Sequence, residues 1–242
     1  MSSPKRAHLV LSPHPDDAVW SAGGRIGWWA RAGRAVTVVT VFDGPQASPL
    51  PGSWRQMAEP GMRRAEDTSA VSGLGAKLLS LALPDAALRS DRGVPRYASQ
   101  LKIFGPVCPA DRALALEVSG TVMGMLEPGT TLHAPLAAGG HVDHRLVRAA
   151  AAALATRGVS VRFYDDFPYR LRPDDHVGLQ PAHAPVDMPG WLRAADCYRS
   201  QIGAMFDSAE KFHNALLARA EEHGRAVNRK YADRFWKYEC VI

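Results

Sequence analysis

What most restricts the fold of this 242-residue chain is a repeated switch between two hydrophobic periods. Residues 9–12 form a short apolar run that stops at a proline, and residues 35–42 form a β-branched run. Between them, residues 18–33 space Val19, Ile26, Trp29 and Ala30 along one helical face and end at a glycine, as helices often do. The alternation continues with a helix over 61–74 capped by Gly75, a strand over 77–81, and a helix over 112–126 stopped by Glu127, Pro128 and Gly129. A strand over 131–134, a helix over 143–157 and a β-branched strand over 159–164 follow. Strands alternating with helices of this length build right-handed βαβ units, so the chain is predicted to be α/β: a Rossmann-like, mostly parallel sheet with helices on both faces.

Two stretches leave the pattern. Residues 84–109 are rich in Pro, Arg, Ser and Gly and long for a connection, which reads as a lid over a crevice or as a flexible insertion. Residues 167–189 carry five prolines and read as irregular, ahead of helices over 189–206 and 208–224 and a last strand over 235–242. Residues 165–242 are therefore expected to be a C-terminal helical and strand extension packed on the same domain. Neither a linker nor an internal repeat marks off a second one, and 242 residues suffice for a proper core.

The chemistry concentrates at two places. His14-Pro15-Asp16-Asp17 follows the first strand and opens a helix. In an open parallel sheet, ligands bind beyond the carboxyl ends of the strands near the point where strand order reverses, and the first strand borders that point. His14 and Asp17, three apart across the turn, can face one point, and imidazole and carboxylate are ordinary zinc ligands. Asp16 projects differently and is free to act beside the metal as a base. The plainer alternative is that both aspartates simply cap the helix. Gly139-Gly140-His141-Val142-Asp143-His144 follows the strand at 131–134 and again opens a helix, so it faces the first motif across one crevice. It supplies a third metal ligand and a further imidazole. Three protein ligands with an open fourth position suit hydrolytic zinc chemistry.

Composition removes other classes. The net charge of +5 is dispersed along the chain with no run of five or more basic residues, unlike a nucleic-acid-binding stripe. No apolar run approaches the ~18 residues of a membrane span. Met1–Arg6 followed by so short an apolar segment reads as the lead-in to a buried strand, not a secretory signal. Cys108, Cys197 and Cys240 are too few and too scattered for a disulfide framework, which fits a cytoplasmic enzyme with reduced thiols. His133, His176, His183, His213 and His223 read as surface or structural. Trp20, Trp28 and Trp29 read as core, with Trp20 nearest the pocket.

The two motifs together resemble the LmbE-like, or PIG-L, family of zinc N-deacetylases. Arg63-Arg64-Ala65-Glu66-Asp67, Leu83-Pro84-Asp85, Asp166-Phe167-Pro168-Tyr169 and Tyr231-Ala232-Asp233-Arg234-Phe235-Trp236 also resemble its members. The resemblance implies that His14, Asp17 and His144 hold Zn2+ or another divalent ion. It makes Asp16 the general base and His141 the group that polarises the carbonyl, with Asp143 orienting a histidine. Arg63 and Asp85 match substrate-contacting positions, and Asp166 is placed with them on the substrate side. Two departures stand out. Phe42-Asp43-Gly44 replaces the Thr or Ser that many members carry before the glycine. Gly139 stands where the mycothiol-pathway member has a tyrosine, so either His141 acts alone or a residue such as Tyr97 takes that place. The expected function is N-deacetylation of an N-acetyl amino sugar or a small natural-product intermediate. An amidase for a larger thiol or peptide conjugate and a non-catalytic small-molecule binder are the alternatives. The partner is then a small N-acylated molecule, with neither nucleic acid nor membrane involved and a homo-oligomer left open.

Overall fold

The computed structural model describes residues 7–44 and 60–239; Met1–Arg6, Cys240 and the end of the expected last strand lie outside them. In chain order the elements are β1 (His8–Ser12), α1 (Asp17–Arg31), β2 (Val36–Thr40), α2 (Pro60–Gly73) and β3 (Lys77–Ser80). The segment after β3 holds a two-residue hairpin, β4 (Ser90–Asp91) with β5 (Val94–Pro95), and the single turn α3 (Gln100–Ile103). Then come α4 (Arg112–Met123), β6 (Thr131–Pro135), α5 (Val142–Ala155) and β7 (Ser160–Tyr164). The chain continues through β8 (Leu179–Ala184), α6 (Met188–Ala195), α7 (Arg199–Met205), α8 (Ala209–Arg225) and β9 (Asp233–Tyr238).

Among the described residues seven strands form one sheet in the order β3-β2-β1-β6-β7-β9-β8. The first five are parallel, and β9 and β8 add antiparallel at one edge. The chain builds outward from β1 through β2 to β3, then returns to place β6 on the other side of β1. The switch point therefore lies between β1 and β6.

All five residues of β1 are buried, as expected of a central parallel strand covered on both faces. Its alternate side chains feed two cores. Val10 joins Val36, Val38, Ile26, Trp29 and Trp191 under α1, α2 and α6–α8. Leu9 and Leu11 join Val39, Leu132, Val147 and Leu154 under α4 and α5. Each such aliphatic side chain contributes about 1.5–3 kcal/mol when fully buried. α1 carries Gly23 and Gly24 in its middle, normally a cost of ~1 kcal/mol each. Here a Cβ at either would sit 2.6 Å from the Trp191 ring, so the glycines let α6 pack directly on the helix backbone. The Trp191 Nε1–H then donates to the Val19 carbonyl at 2.6 Å.

The prolines of 167–189 conceal one element. β8 falls inside that stretch and includes Pro181. Among the described residues it is an edge strand pairing with β9 alone, where a missing N–H can be tolerated. Among the described residues no helix is long and apolar enough to cross a membrane.

Candidate active site

The turn after β1 is built by short hydrogen bonds. Ser12 Oγ donates to the His14 carbonyl at 2.6 Å and accepts from Ala18 N at 2.9 Å. Asp17, the first residue of α1, accepts the His14 backbone N–H at 2.9 Å on Oδ2. Asp16 holds φ 105°, ψ −45°, a strained conformation for a residue with a side chain, and its carboxylate makes no helix-capping bond. The capping explanation thus does not account for Asp16.

The turn after β6 faces it. His141 precedes α5, and its Nδ1 accepts from Asp143 N at 3.2 Å, which puts the ring proton on Nε2. Burial, and then His14, hold the His141 imidazole well below its ordinary pKa, so the ring is neutral at pH 7. His144 sits in the first turn of α5, with Nε2 3.2 Å from Asp17 Oδ2; His14 Nδ1 lies 3.1 Å from the same oxygen. The three side chains are buried, and one donor atom from each falls within 4.8 Å of the others.

These separations match a metal cradle. Tetrahedral bonds of ~2.0–2.1 Å place ligand atoms about 3.3 Å apart. The outer nitrogens fit too: His14 Nε2 lies 2.9 Å from Asp143 Oδ2 and His144 Nδ1 lies 2.6 Å from Asp166 Oδ1. Carboxylates behind both imidazoles fix the tautomers that leave His14 Nδ1 and His144 Nε2 free to ligate. His14, His141 and Asp143 also approach one another within 4.8 Å. Asp143, however, already accepts from His14, Ala86 N and Arg89, so its carboxylate is spoken for by hydrogen bonds.

Asp16 lies beside the cradle. Burial and the neighbouring Asp17 push its carboxyl up to about 8, against the pull of Arg63 and His14. A cation held by His14, Asp17 and His144 would offset Asp17 and draw Asp16 back down. Arg63 comes from α2. Its Nη2 donates to the Pro15 carbonyl at 3.2 Å and lies 3.6 Å from Asp16, and Nη1 lies 3.7 Å from Asp85. Arg63 therefore braces the turn at Pro15 and Asp16 as well as facing the pocket.

A cavity of about 380 Å³ opens over these groups. His14, Asp16, Asp17, Arg63, Asp85 and His141 form its polar floor, and Trp20, Phe167, Ala204 and Met205 one apolar wall. Ala87, Gln100, Ile103 and Phe104 from the 84–109 segment form another, and Pro168 and Tyr169 close the side.

Two residues stand elsewhere than the sequence reading put them. Tyr97 is buried with Ala86, Ile103 and Val142, its hydroxyl accepting from Cys108 N at 2.9 Å, and it is not among the residues lining the cavity. Asp166 is 1% exposed and spends both oxygens on His144 and Ala138 N, so it stands behind a histidine, away from the substrate side. Tyr169, Phe104 and Arg89 were missed. Asp166 and Tyr169 follow β7, the neighbour of β6, and that position was the available signal; a lone Arg89 in an Arg-rich segment offered none.

The chain is similar to several known proteins. The profile of the PIG-L family, described as GlcNAc-PI de-N-acetylase, matches residues 9–155. The 2'-N-acetylparomamine deacetylase of Niallia circulans is 31% identical over 192 residues, covering 70% of each chain. A 4-oxalmesaconate hydratase of Pseudomonas putida is 34% identical over 97 residues, 38% of this chain and 37% of its own. Among solved structures, the zinc-inhibited form of a teicoplanin deacetylase superposes with a TM-score of 0.80 at 24% identity, covering 98% of this chain and 100% of that one.

Proposed function

The chain belongs to the PIG-L family, and from its site we propose a metal-dependent amide hydrolase that removes the acetyl group from an N-acetyl amino sugar or a small natural-product intermediate. The observation that carries this reading is the convergence of His14, Asp17 and His144 on one point, with Asp16 and the neutral His141 lining the same cavity. The paromamine deacetylase similarity supports the amino-sugar amide.

In this reading His14, Asp17 and His144 hold a divalent ion, zinc being the first choice for an imidazole and carboxylate set. Such an ion, when bound, activates a water at neutral pH and polarises the amide carbonyl. Asp16 takes the proton from the attacking water and later delivers it to the departing amine nitrogen, help worth typically 10²–10⁴ in rate. His141 donates its Nε2–H to the carbonyl oxygen as negative charge develops there. Asp143 and Asp166 keep the two ligating imidazoles in register. Arg63 and Asp85 face the polar part of the substrate.

Metal analysis of the purified protein, paired with acetate release from a panel of N-acetylated aminoglycosides and amino sugars, tests the reading. One equivalent of divalent metal and chelator-sensitive acetate release are expected. A protein that releases no acetate but hydrates 4-oxalmesaconate would overturn it in favour of the activity of the Pseudomonas putida hydratase it resembles.

A further inference from the structure

Resting on the deacetylase reading above, we infer that Tyr169 is a second hydrogen-bond donor to the carbonyl oxygen of the reacting amide, acting together with His141. Three independent observations converge on it. First, Tyr169 lines the cavity, and it is the one hydroxyl-bearing residue among the described residues that do. Second, its ring meets the site directly: it stands edge-on to His144 at 5.8 Å and to Phe104 at 5.9 Å, and Phe104 in turn stands edge-on to His141 at 5.5 Å. Third, the loop that carries His141 is shaped around it. Gly139 has φ 79°, and a Cβ there would lie 2.6 Å from Tyr169 Cδ1 and 2.8 Å from Cγ. Any side chain at 139 would dislodge the ring.

The backbone holds Tyr169 in this place as well, its N–H donating to the Asp166 carbonyl at 2.8 Å. The same residue thus supplies the carboxylate behind His144 and an anchor for the tyrosine. The phenol makes no hydrogen bond to another described residue, and the other polar side chains lining the cavity are carboxylates, imidazoles, Arg63, the Trp20 indole and the amides Gln100 and Gln201. A phenol is protonated at neutral pH, so its hydroxyl donates toward an anion.

The chemistry asks for such a group. When water adds to the amide, its oxygen bonds to the carbonyl carbon, the carbonyl π pair moves onto oxygen, and the water proton goes to Asp16. The new oxyanion is stabilised by donors already aimed at it. The Tyr169 O–H donates a hydrogen bond to it without giving up its proton. On collapse the C–N bond breaks and the amine nitrogen takes the proton back from Asp16.

The test is Tyr169→Phe, which keeps the ring against Gly139 and removes only the donor. Metal content, melting temperature and KM are expected to stay close to wild type, with kcat down by about 10²-fold, the scale of one lost oxyanion donor. A phosphonamidate analogue of the acetamide, which mimics the tetrahedral centre, should lose affinity by a similar factor while the product amine binds as before. An unchanged kcat with a raised KM, or a weakened product amine with undiminished analogue binding, would make Tyr169 a packing residue and overturn the inference. A wild-type enzyme that releases no acetate from any N-acetyl amine removes this inference together with the reading beneath it. An active wild type with an equally active Tyr169→Phe variant removes this one alone.

Discussion

Replacing Asp166 with Asn separates a group behind the proposed metal ligand His144 from a group on the substrate. The side chain keeps its size, but it exchanges two acceptor oxygens for one acceptor and one donor. Asp166 serves two N–H donors, His144 Nδ1 at 2.6 Å and Ala138 N at 3.0 Å, in a position 1% exposed. Asparagine can satisfy only one of them. If its oxygen meets His144, its NH₂ faces the Ala138 N–H; the other rotamer turns the NH₂ toward the Nδ1 proton and favours the tautomer that cannot ligate through Nε2. Leaving one buried donor unmet costs about 1–3 kcal/mol, and at 1.4 kcal/mol per tenfold that is roughly 5–150-fold. The partners of metal-ligating histidines typically cost 10–100-fold when changed, which agrees. Metal affinity of Asp166→Asn, measured by competition with a chromophoric chelator at fixed pH, should therefore weaken by about 10–100-fold. With saturating metal KM should hardly move. An unchanged metal affinity with a raised KM would refute this placement and return Asp166 to the substrate side.

Asp16→Asn should keep its metal and lose about 10²-fold or more in kcat, the ordinary scale for a missing general base; loss of metal along with activity would make Asp16 a ligand. Arg63→Ala should lower kcat by ~10-fold on a full substrate and on a small N-acetyl amine alike, because Arg63 braces Pro15 and Asp16; an effect confined to KM of the larger substrate would show that it acts only through binding. His223 is buried beside Asp165, and desolvation, then Arg219, lower its pKa to about 3. The folded protein therefore binds fewer protons than the unfolded chain between about pH 6.5 and 3, so stability is full above that window and is lost as pH falls through it. Urea titrations should show a shallower loss across that window in His223→Gln, and equal slopes would discount His223 as the cause.

The parallel half of the sheet could be read because buried strands write themselves as apolar runs: β1, β2 and β7 all have side chains pointing into a core. β8 wrote nothing of the kind. One of its six residues is buried, and Pro181 sits inside it. At the site, His14, Asp17 and His144 were legible because each lies where a strand hands over to a helix, a place topology already marks. The roles of Asp166 and Tyr169 depend on how the segment after β7 folds back over Gly139, which is a long-range packing outcome. By sequence Tyr97 is a candidate for the place of the missing tyrosine, but Ala86, Ile103 and Val142 enclose it instead. Arg89 came to hold Asp143 for the same reason, through a contact 54 residues apart in the chain.

The left-handed backbone at Asp16 implies a conflict between endurance and turnover. An aspartate at φ 105° stores strain of order 1–3 kcal/mol, and its carboxylate is buried beside that of Asp17. Glycine would relieve both burdens at once, since it adopts positive φ freely and carries no charge. An Asp16→Gly protein should therefore melt at a higher temperature than the wild type while turning over almost nothing, whereas the isosteric Asn variant keeps the strain. A chain selected for durability alone would drift to glycine at this position; one selected for catalysis holds the aspartate in its uncomfortable turn.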